Sequence, residues 1–267
     1  MLSMDAVRAA AMRIDEVYRT KRQIPQLSLQ YPAMTIADAY AVQSAWVAHR
    51  VASGRRLLGH KIGLTSKAMQ RTSQIEEPDY GVLLDDMAYP DGGDIPIDRF
   101  VELRIEVELA FILARPLRGP HCTLIDVLAA TECVIPAIEL IDARIERFDP
   151  ATGRPRKVLD TIADNAASAG LVMGGRPVRP FDEDLRWVGA LMARNGVIED
   201  SGVAAAVMNH PANGVAWLAN KLASFDVALQ PGQPILSGSF TAPLAARAGD
   251  VFHIDYGRLG SLSCRFV

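Results

Sequence analysis

The stretch VELRIEVELAF, residues 101–111, decides how this chain is expected to fold. Hydrophobic side chains occupy its odd positions up to residue 109, and charged side chains occupy its even positions: Glu102, Arg104, Glu106 and Glu108. A period of two places successive side chains on opposite faces of a β-strand. The stretch therefore predicts a strand with one apolar face for the core and one face that carries three carboxylates and a guanidinium.

The chain before this strand has a different pattern. Residues 4–20 show helical spacing of apolar side chains, and a second helix is predicted to open at Thr35, with Asp38 as its capping partner, and to stop at Ser53-Gly54. Residues 1–54 are therefore expected to form a helical N-terminal layer.

After Gly54 the sequence consists of short β-rich runs separated by Gly, Pro and Asp, with few helices between them. Asn195-Gly196 predicts a hairpin, Thr123 a cap for a short helix, and the residues after His210 a helix within 212–226. This spacing disfavours a regular βαβ pattern. It favours an α+β fold in which residues 55–267 form a curled mixed sheet with outer helices, as one functional unit with the N-terminal layer.

The composition excludes several classes of protein. The 267 residues carry a net charge of -3 with scattered basic residues, so neither nucleic acid nor an anionic membrane is an expected partner. No apolar run reaches the roughly 18 residues of a membrane span, and acidic residues in the first helix argue against a signal peptide. Three cysteines without a CxxC pair suggest a reducing, cytoplasmic setting.

The carboxylates of the alternating strand suggest a metal site. Glu106 and Glu108 lie on one face, about 6.5–7 Å apart along the strand, and Glu139 is enclosed by Ile138 and Leu140 in a second strand-like run. The alternative is a solvated face on which Glu102 pairs with Arg104. A buried carboxylate needs a partner, and one divalent cation would satisfy all three glutamates. Such oxygen ligands select Mg²⁺ or Mn²⁺ over zinc.

Three further polar segments are candidates for the same site. Lys61 lies in GHKIGLTSKAM, Asp79 in EEPDYG, and Ser239 and Thr241 in the small-residue loop LSGSFTAPL. A lysine near a metal-bound anion can stabilise negative charge or transfer a proton, and such a loop can donate hydrogen bonds to a carboxylate. Each segment also has an ordinary interpretation, as a surface lysine, a turn aspartate or a turn.

Taken in order, GHKIGLTSKAMQ, EPDYGVLLDDM, RIEVELAF, VIPAIELIDAR, DNAASAGLVMGG, NHPANGVAWLANKL and SGSFTAP resemble the 2-hydroxypenta-2,4-dienoate hydratase family of the fumarylacetoacetate hydrolase superfamily. The resemblance runs from about residue 35 to the C-terminus. It implies a β-roll fold, a homo-oligomer and a Mg²⁺- or Mn²⁺-dependent lyase of aromatic catabolism. It also implies Glu106, Glu108 and Glu139 as metal ligands, with Lys61 and Asp79 as catalytic residues.

Longer strings, among them ELIDARIERFDP and RPRKVLDTIADNAA, resemble the branch of that family that acts on seven-carbon diacids. The implied substrate is a small 2-oxo dicarboxylic acid in its dienol form. Three carboxylates and one divalent cation leave one negative charge, which would repel a dianion. We therefore expect Lys61 and at least one arginine to face the pocket. Arg104, Arg144 and Arg156 remain open as anchors for the distal carboxylate.

Four alternatives remain at this point. A 4-oxalocrotonate decarboxylase would use a similar metal site and release CO₂, and a hydratase for five-carbon monoacids would lack the need for an extra cation. A non-catalytic partner subunit is disfavoured by the presence of Lys61, Asp79 and the three glutamates. An acylpyruvate hydrolase would need a His-Glu pair that we do not find before the metal strand.

Overall fold

The computed structural model describes residues 1–267, apart from the side chain of Thr72. Its α-helices are α1 Met4–Thr20, α2 Leu27–Gln30, α3 Ile36–Ala52, α4 Lys67–Thr72, α5 Leu124–Ala130, α6 Val158–Ala163 and α7 Pro211–Ala223. Its strands are β1 Leu57–Gly63, β2 Asp79–Leu84, β3 Ala88–Tyr89, β4 Asp94–Ile95, β5 Arg104–Leu113, β6 Thr131–Ile141, β7 Ser168–Met173, β8 Gly189–Arg194, β9 Val197–Val203, β10 Pro234–Leu236, β11 Leu244–Ala245, β12 Val251–Asp255 and β13 Ser261–Phe266.

The strands form two mixed sheets. The larger has the order β2-β1-β10-β5-β6-β7-β3, with β11 also paired to β5, and the smaller has the order β4-β13-β12-β8-β9. The pairs β1–β10, β3–β7 and β4–β13 are parallel, whereas β5–β6 and the two hairpins β8–β9 and β12–β13 are antiparallel. The larger sheet curls and the helices lie outside it, which confirms the predicted α+β roll.

Local sequence signals account for most element ends. The capping boxes predicted at Thr35 and Thr123 are both formed, and His210 caps α7 by accepting a hydrogen bond from the Ala212 N–H through its Nδ1. Asn195 and Gly196 have φ of 53° and 82°, the left-handed conformations that a tight hairpin between β8 and β9 requires. No helix among the described residues is long and apolar enough to cross a bilayer.

Strand β5 begins three residues later than the alternation suggests. The backbone N–H groups of Val101 and Glu102 donate to the carboxylate of Asp142, at 3.0 Å and 2.6 Å, and not to a neighbouring strand. The prediction of a strand from residue 101 was therefore wrong at its start, because a side chain 40 residues away along the sequence supplies the acceptor. From Arg104 onward the alternation holds, and Ile105, Val107 and Leu109 are fully buried.

The smaller sheet supports the β5–β6 pair through Tyr256, which follows β12. The buried Tyr256 hydroxyl lies 2.7 Å from the carbonyl oxygen of Ala137 on β6 and 3.0 Å from that of Glu108 on β5. One side chain thus bridges both strands that carry the glutamates, and it does so at the level of Glu108.

We expect Tyr256→Phe to lower the free energy of unfolding by about 1 kcal/mol, because two buried carbonyl oxygens lose their shared donor. The control is Tyr31→Phe, since the Tyr31 hydroxyl accepts from the neighbouring side chain of Gln30 and bridges no strands among the described residues. Urea unfolding of both variants measures the difference. Equal stability losses would show that the bridge contributes nothing.

Candidate active site

The three glutamates singled out by sequence meet on one face of the larger sheet. Glu106 on β5 lies directly opposite Glu139 on β6, and Glu108 pairs with Ala137 two positions along. One carboxylate oxygen from each glutamate lies within 4.8 Å of the others. Glu108 and Glu139 are 1% and 0% exposed, and Glu106 is half-buried. This burial rules out the solvated face that the alternation also allowed.

Burial leaves the triad short of partners. It raises the pKa of all three carboxyl groups, that of Glu139 to about 7, and for Glu108 the adjacent Glu139 raises the pKa further. Oε1 of Glu108 and Oε2 of Glu139 accept no hydrogen bond from the described residues. Close, desolvated carboxylates with free lone pairs are costly unless a cation or protons neutralise them. The all-oxygen donor set therefore fits a hard divalent cation such as Mg²⁺ or Mn²⁺.

Lys61 and Asp79 complete the cluster from the neighbouring strands. The Lys61 Nζ lies 3.3 Å from Oε1 of Glu139, and the lysine is 3% exposed. Burial alone would lower the pKa of Lys61, but Glu139 and Asp79 outweigh it and raise that pKa, so the side chain stays cationic. Asp79 is 1% exposed, and burial raises the pKa of its carboxyl group against the opposing effect of Lys61.

Two glycines make room for these side chains. An added Cβ at Gly63 would lie 2.3 Å from Oδ1 of Asp79 and 3.3 Å from Nζ of Lys61. An added Cβ at Gly81 would lie 3.2 Å from the Lys61 side chain and 2.5 Å from the carbonyl oxygen of Asn165. Gly63 of HKIG and Gly81 of DYG are thus part of the site. A larger residue at either position would need space that Lys61 or Asp79 occupies.

The SGSFT loop contacts the triad through its backbone. The N–H of Gly238 donates to Oε2 of Glu108 at 2.8 Å, and Gly238 has a φ of 116°. Within the loop, the Ser239 hydroxyl donates to the carbonyl oxygen of Thr241 at 2.9 Å, and Oγ1 of Thr241 lies 3.4 Å from the Val107 N–H. Ser239 and Thr241 remain predicted substrate contacts. The structure adds Gly238, which orients Glu108.

The three candidate arginines separate in the structure. Arg104 lies at the start of β5, where its Nη2 is 3.3 Å from Oε1 of Glu102, so this one pairing of the solvated-face alternative is present. Arg156 is mostly buried, and its charge, like that of Lys61, opposes the rise in the pKa of Asp79 that burial causes. Arg144 does not join the site.

The guanidinium of Arg144 is 1% exposed, donates to both the carboxylate and the backbone carbonyl of Asp164, and stacks over the ring of Tyr18. We therefore remove Arg144 from the candidate anchors, since it already forms a buried ion pair with Asp164.

Sequence reasoning missed a different arginine, Arg147, whose Nε lies 2.6 Å from Oε1 of Glu102. Its only sequence signal was the second arginine of ARIER in the string ELIDARIERFDP.

We expect Gly63→Ala to destabilise the protein by about 1–3 kcal/mol, because the new methyl group displaces the Asp79 carboxylate within a packed site. Gly189→Ala is the control, since an added Cβ on that strand meets nothing closer than 3.6 Å. Thermal unfolding of the two variants compares them. A Gly63→Ala protein as stable as the control would contradict the close packing.

Comparison with known proteins agrees with this geometry. The profile of the fumarylacetoacetate (FAA) hydrolase C-terminal family matches residues 40–267. The chain is 66% identical over 257 residues to the 2-oxo-hept-4-ene-1,7-dioate hydratase of Escherichia coli, covering 96% of each chain. It is 38% identical to the 4-oxalocrotonate decarboxylase of Pseudomonas sp. strain CF600, covering 100% of this chain and 98% of the relative.

Among solved structures, the 4-oxalocrotonate decarboxylase of Pseudomonas putida G7, complexed with magnesium and adipate, superposes with a TM-score of 0.95 at 37% identity. That match covers 100% of this chain and 99% of the decarboxylase. The profile match over most of the chain and the similarity of the whole chain to these enzymes lead to the same conclusion: the chain belongs to the fumarylacetoacetate hydrolase family.

Proposed function

We propose that this chain is a Mg²⁺- or Mn²⁺-dependent hydratase that converts the dienol form of 2-oxohept-4-ene-1,7-dioate into 4-hydroxy-2-oxoheptanedioate. The observation that carries the proposal is its high identity over nearly the full length to the hydratase of Escherichia coli. The buried glutamates, with Lys61 and Asp79 beside them, supply the groups that such a reaction needs. The Mg²⁺ of the Pseudomonas putida decarboxylase structure supports the choice of cation.

The proposed ligands are Glu106, Glu108 and Glu139, which offer three oxygen donors and leave the remaining coordination positions for substrate or water. A divalent cation held there would act as a Lewis acid on the 2-oxo group of the substrate. Gly238 keeps Oε2 of Glu108 engaged, so that Oε1, which has no hydrogen-bond partner among the described residues, would be available to bind a cation.

The chain's own residues would handle protons and charge. During ketonisation the proton of the C2 hydroxyl moves to C5 of the substrate, and water then adds its hydroxyl group to C4 and its proton to C3. Lys61, whose Nζ lies 3.3 Å from Glu139, would stabilise negative charge that develops on the C2 oxygen. Asp79, with a pKa raised by burial, would orient the water, accept its proton as the hydroxyl group bonds to C4, and return a proton to C3.

A decarboxylase is the second candidate, because the chain superposes closely on the Pseudomonas putida decarboxylase. That reaction would start from the same polarised 2-oxo acid but would release CO₂. Incubation with the dienol diacid distinguishes the two reactions: we expect loss of the dienol absorbance without CO₂. Stoichiometric CO₂ would overturn the hydratase proposal.

We further propose that residues 1–54 form a helical layer that acts as one unit with residues 55–267. In support, Gln43 on α3 donates to the carbonyl oxygen of Tyr80, the residue after Asp79.

We also propose a homo-oligomer. A groove of about 720 Å³ on the smaller sheet exposes Trp187, Leu191 and Val203 beside edge strand β9, a surface of the kind that subunits cover. A monomeric mass in light scattering would contradict this proposal.

We expect Glu108→Gln to lose Mn²⁺ binding and hydration together, because it keeps the side-chain shape but removes one negative ligand from the triad. EDTA should abolish turnover of the unmodified protein, and added Mg²⁺ should restore it. Calorimetry with Mn²⁺ and the dienol assay measure the two effects. Glu132→Gln is the matched control, since Glu132 lies exposed on the same strand as Glu139. Turnover that survives both EDTA and Glu108→Gln would contradict a metal enzyme.

We expect Asp79→Asn to lower kcat by about 100-fold or more while leaving Mn²⁺ affinity unchanged, because it removes a proton acceptor but no ligand. The exposed Asp98, in the turn Ile97–Arg99, gives the control Asp98→Asn. Hydration at the normal rate in Asp79→Asn would remove Asp79 from the mechanism.

A further inference from the structure

Two arginines are held side by side at the base of a small hairpin. We call residues 147–156 the arginine hairpin: the Arg156 N–H donates to the carbonyl oxygen of Arg147 at 2.8 Å, and Phe148 bridges to Pro155 in antiparallel fashion. The N–H of Asp149 closes the turn by donating to the carbonyl oxygen of Arg154 at 2.9 Å. The backbone pairing thus sets Arg147 opposite Arg156, nine residues further along the sequence.

Glu102 ties this hairpin to the metal strand. Its Oε1 lies 2.6 Å from Nε of Arg147 and 3.3 Å from Nη2 of Arg104, and its Oε2 accepts from the side chain of Gln23 at 3.3 Å. Arg104 is the first residue of β5 and shares a face with Glu106, about 6.5–7 Å further along the strand. Arg104, which shares Glu102 with Arg147, therefore lies one strand repeat from Glu106.

Two guanidinium groups share one carboxylate at this position. Arg104 and Arg147 both pair with Oε1 of Glu102, and Arg156 pairs with Asp164, which already accepts from Arg144. Nη2 of Arg147 and Nε of Arg104 are buried and donate no hydrogen bond within the described part of the chain. Burial and the neighbouring Arg156 lower the pKa of Arg147, which is the electrostatic result of crowded, desolvated cations. Buried guanidinium donors in this state call for an anion.

We propose that Arg147, flanked by Arg104 and Arg156, binds the distal carboxylate of a 2-oxo dicarboxylic acid and selects it over a monoacid of equal length. The inference rests on the proposed function for the position of the 2-oxo end at the triad. The two ends of the site then match the two ends of the substrate, with the glutamates and their cation at C1–C2 and the guanidinium groups at the far carboxylate. Arg147 supplies the donor, and Glu102 orients it.

The main test compares Arg147→Met on two substrates, the dienol diacid and 2-hydroxyhepta-2,4-dienoate, which has the same length but no distal carboxylate. We expect kcat/KM for the diacid to fall about 100-fold, with the rate on the monoacid within a few-fold of the unmodified protein. Arg154→Met is the matched control, because its side chain is exposed on the same hairpin. Equal losses on both substrates, or no loss on the diacid, would overturn the inference.

A binding experiment separates this inference from the proposed function. Calorimetry with Mn²⁺-loaded protein compares 2-oxoheptanedioate with 2-oxoheptanoate, and we expect a preference for the diacid that Arg147→Met abolishes. If the unmodified protein hydrates no dienol but shows this preference, the proposed function fails and the inference stands. If it hydrates the diacid and Arg147→Met keeps the full preference, the inference fails and the function stands.

A second variant covers the case in which Arg147→Met does not fold. Arg147→Lys keeps the charge but loses the two-pronged geometry of the guanidinium group, so we expect it to lose at least about tenfold of the preference for the diacid. Mn²⁺ affinity should be unchanged, because Arg147→Lys keeps the positive charge and alters none of the three proposed ligands. A preference retained in full by Arg147→Lys would also contradict the assignment.

Discussion

The antiparallel register of β5 and β6 is the constraint on which the rest of the site depends. It sets Glu106 against Glu139 and leaves three carboxylates within 4.8 Å of one another in a buried position. Lys61 balances only one of these charges. The fold therefore carries a site whose electrostatic energy is unfavourable until a cation or protons arrive, and a divalent cation meets that need with the donors already in place.

The structure around the triad serves to hold this arrangement. The Tyr256 hydroxyl bridges a carbonyl oxygen of β5 and one of β6, and the N–H of Gly238 donates to one carboxylate oxygen of Glu108. Gly63 and Gly81 leave the space that Lys61 and Asp79 occupy. Packing and hydrogen bonding thus orient each functional side chain before any ligand binds, which reduces the cost of reorganisation during catalysis.

Charge is distributed in two regions at and beyond the start of β5. Glu106, Glu108 and Glu139 form the negative region. Arg104, Arg147 and Arg156 form the positive one, in which Glu102 and Asp164 are their partners. A divalent cation bound by the glutamates would offset their negative charge, so that both regions could then bind anionic groups. The proposed substrate, with a 2-oxo acid at one end and a carboxylate at the other, would complement this pattern, whereas a monoacid would leave Nη2 of Arg147 without an acceptor.

The sequence by itself determined the features that depend on near neighbours. The alternation of residues 104–109, the capping boxes and the Asn195-Gly196 hairpin each follow from steric and hydrogen-bonding preferences within a few residues. It also placed Glu106 and Glu108 on one face, because the period of a strand is two. The apolar neighbours of Glu139 suggested it as a third ligand, and Lys61 and Asp79 were candidates for the same site. The resemblance to a known family then assigned roles to all three residues.

Only the tertiary structure decided which distant groups meet. The Asp142 carboxylate accepts the backbone N–H groups of residues 101 and 102, so β5 begins only at Arg104. Asp164 forms a buried ion pair with Arg144. Arg147, three residues further along the sequence, instead contacts Glu102 from the start of the arginine hairpin. Which of these ion pairs and hydrogen bonds form depends on strand register and on competition between buried groups that are far apart in the chain. A local sequence pattern predicts neither.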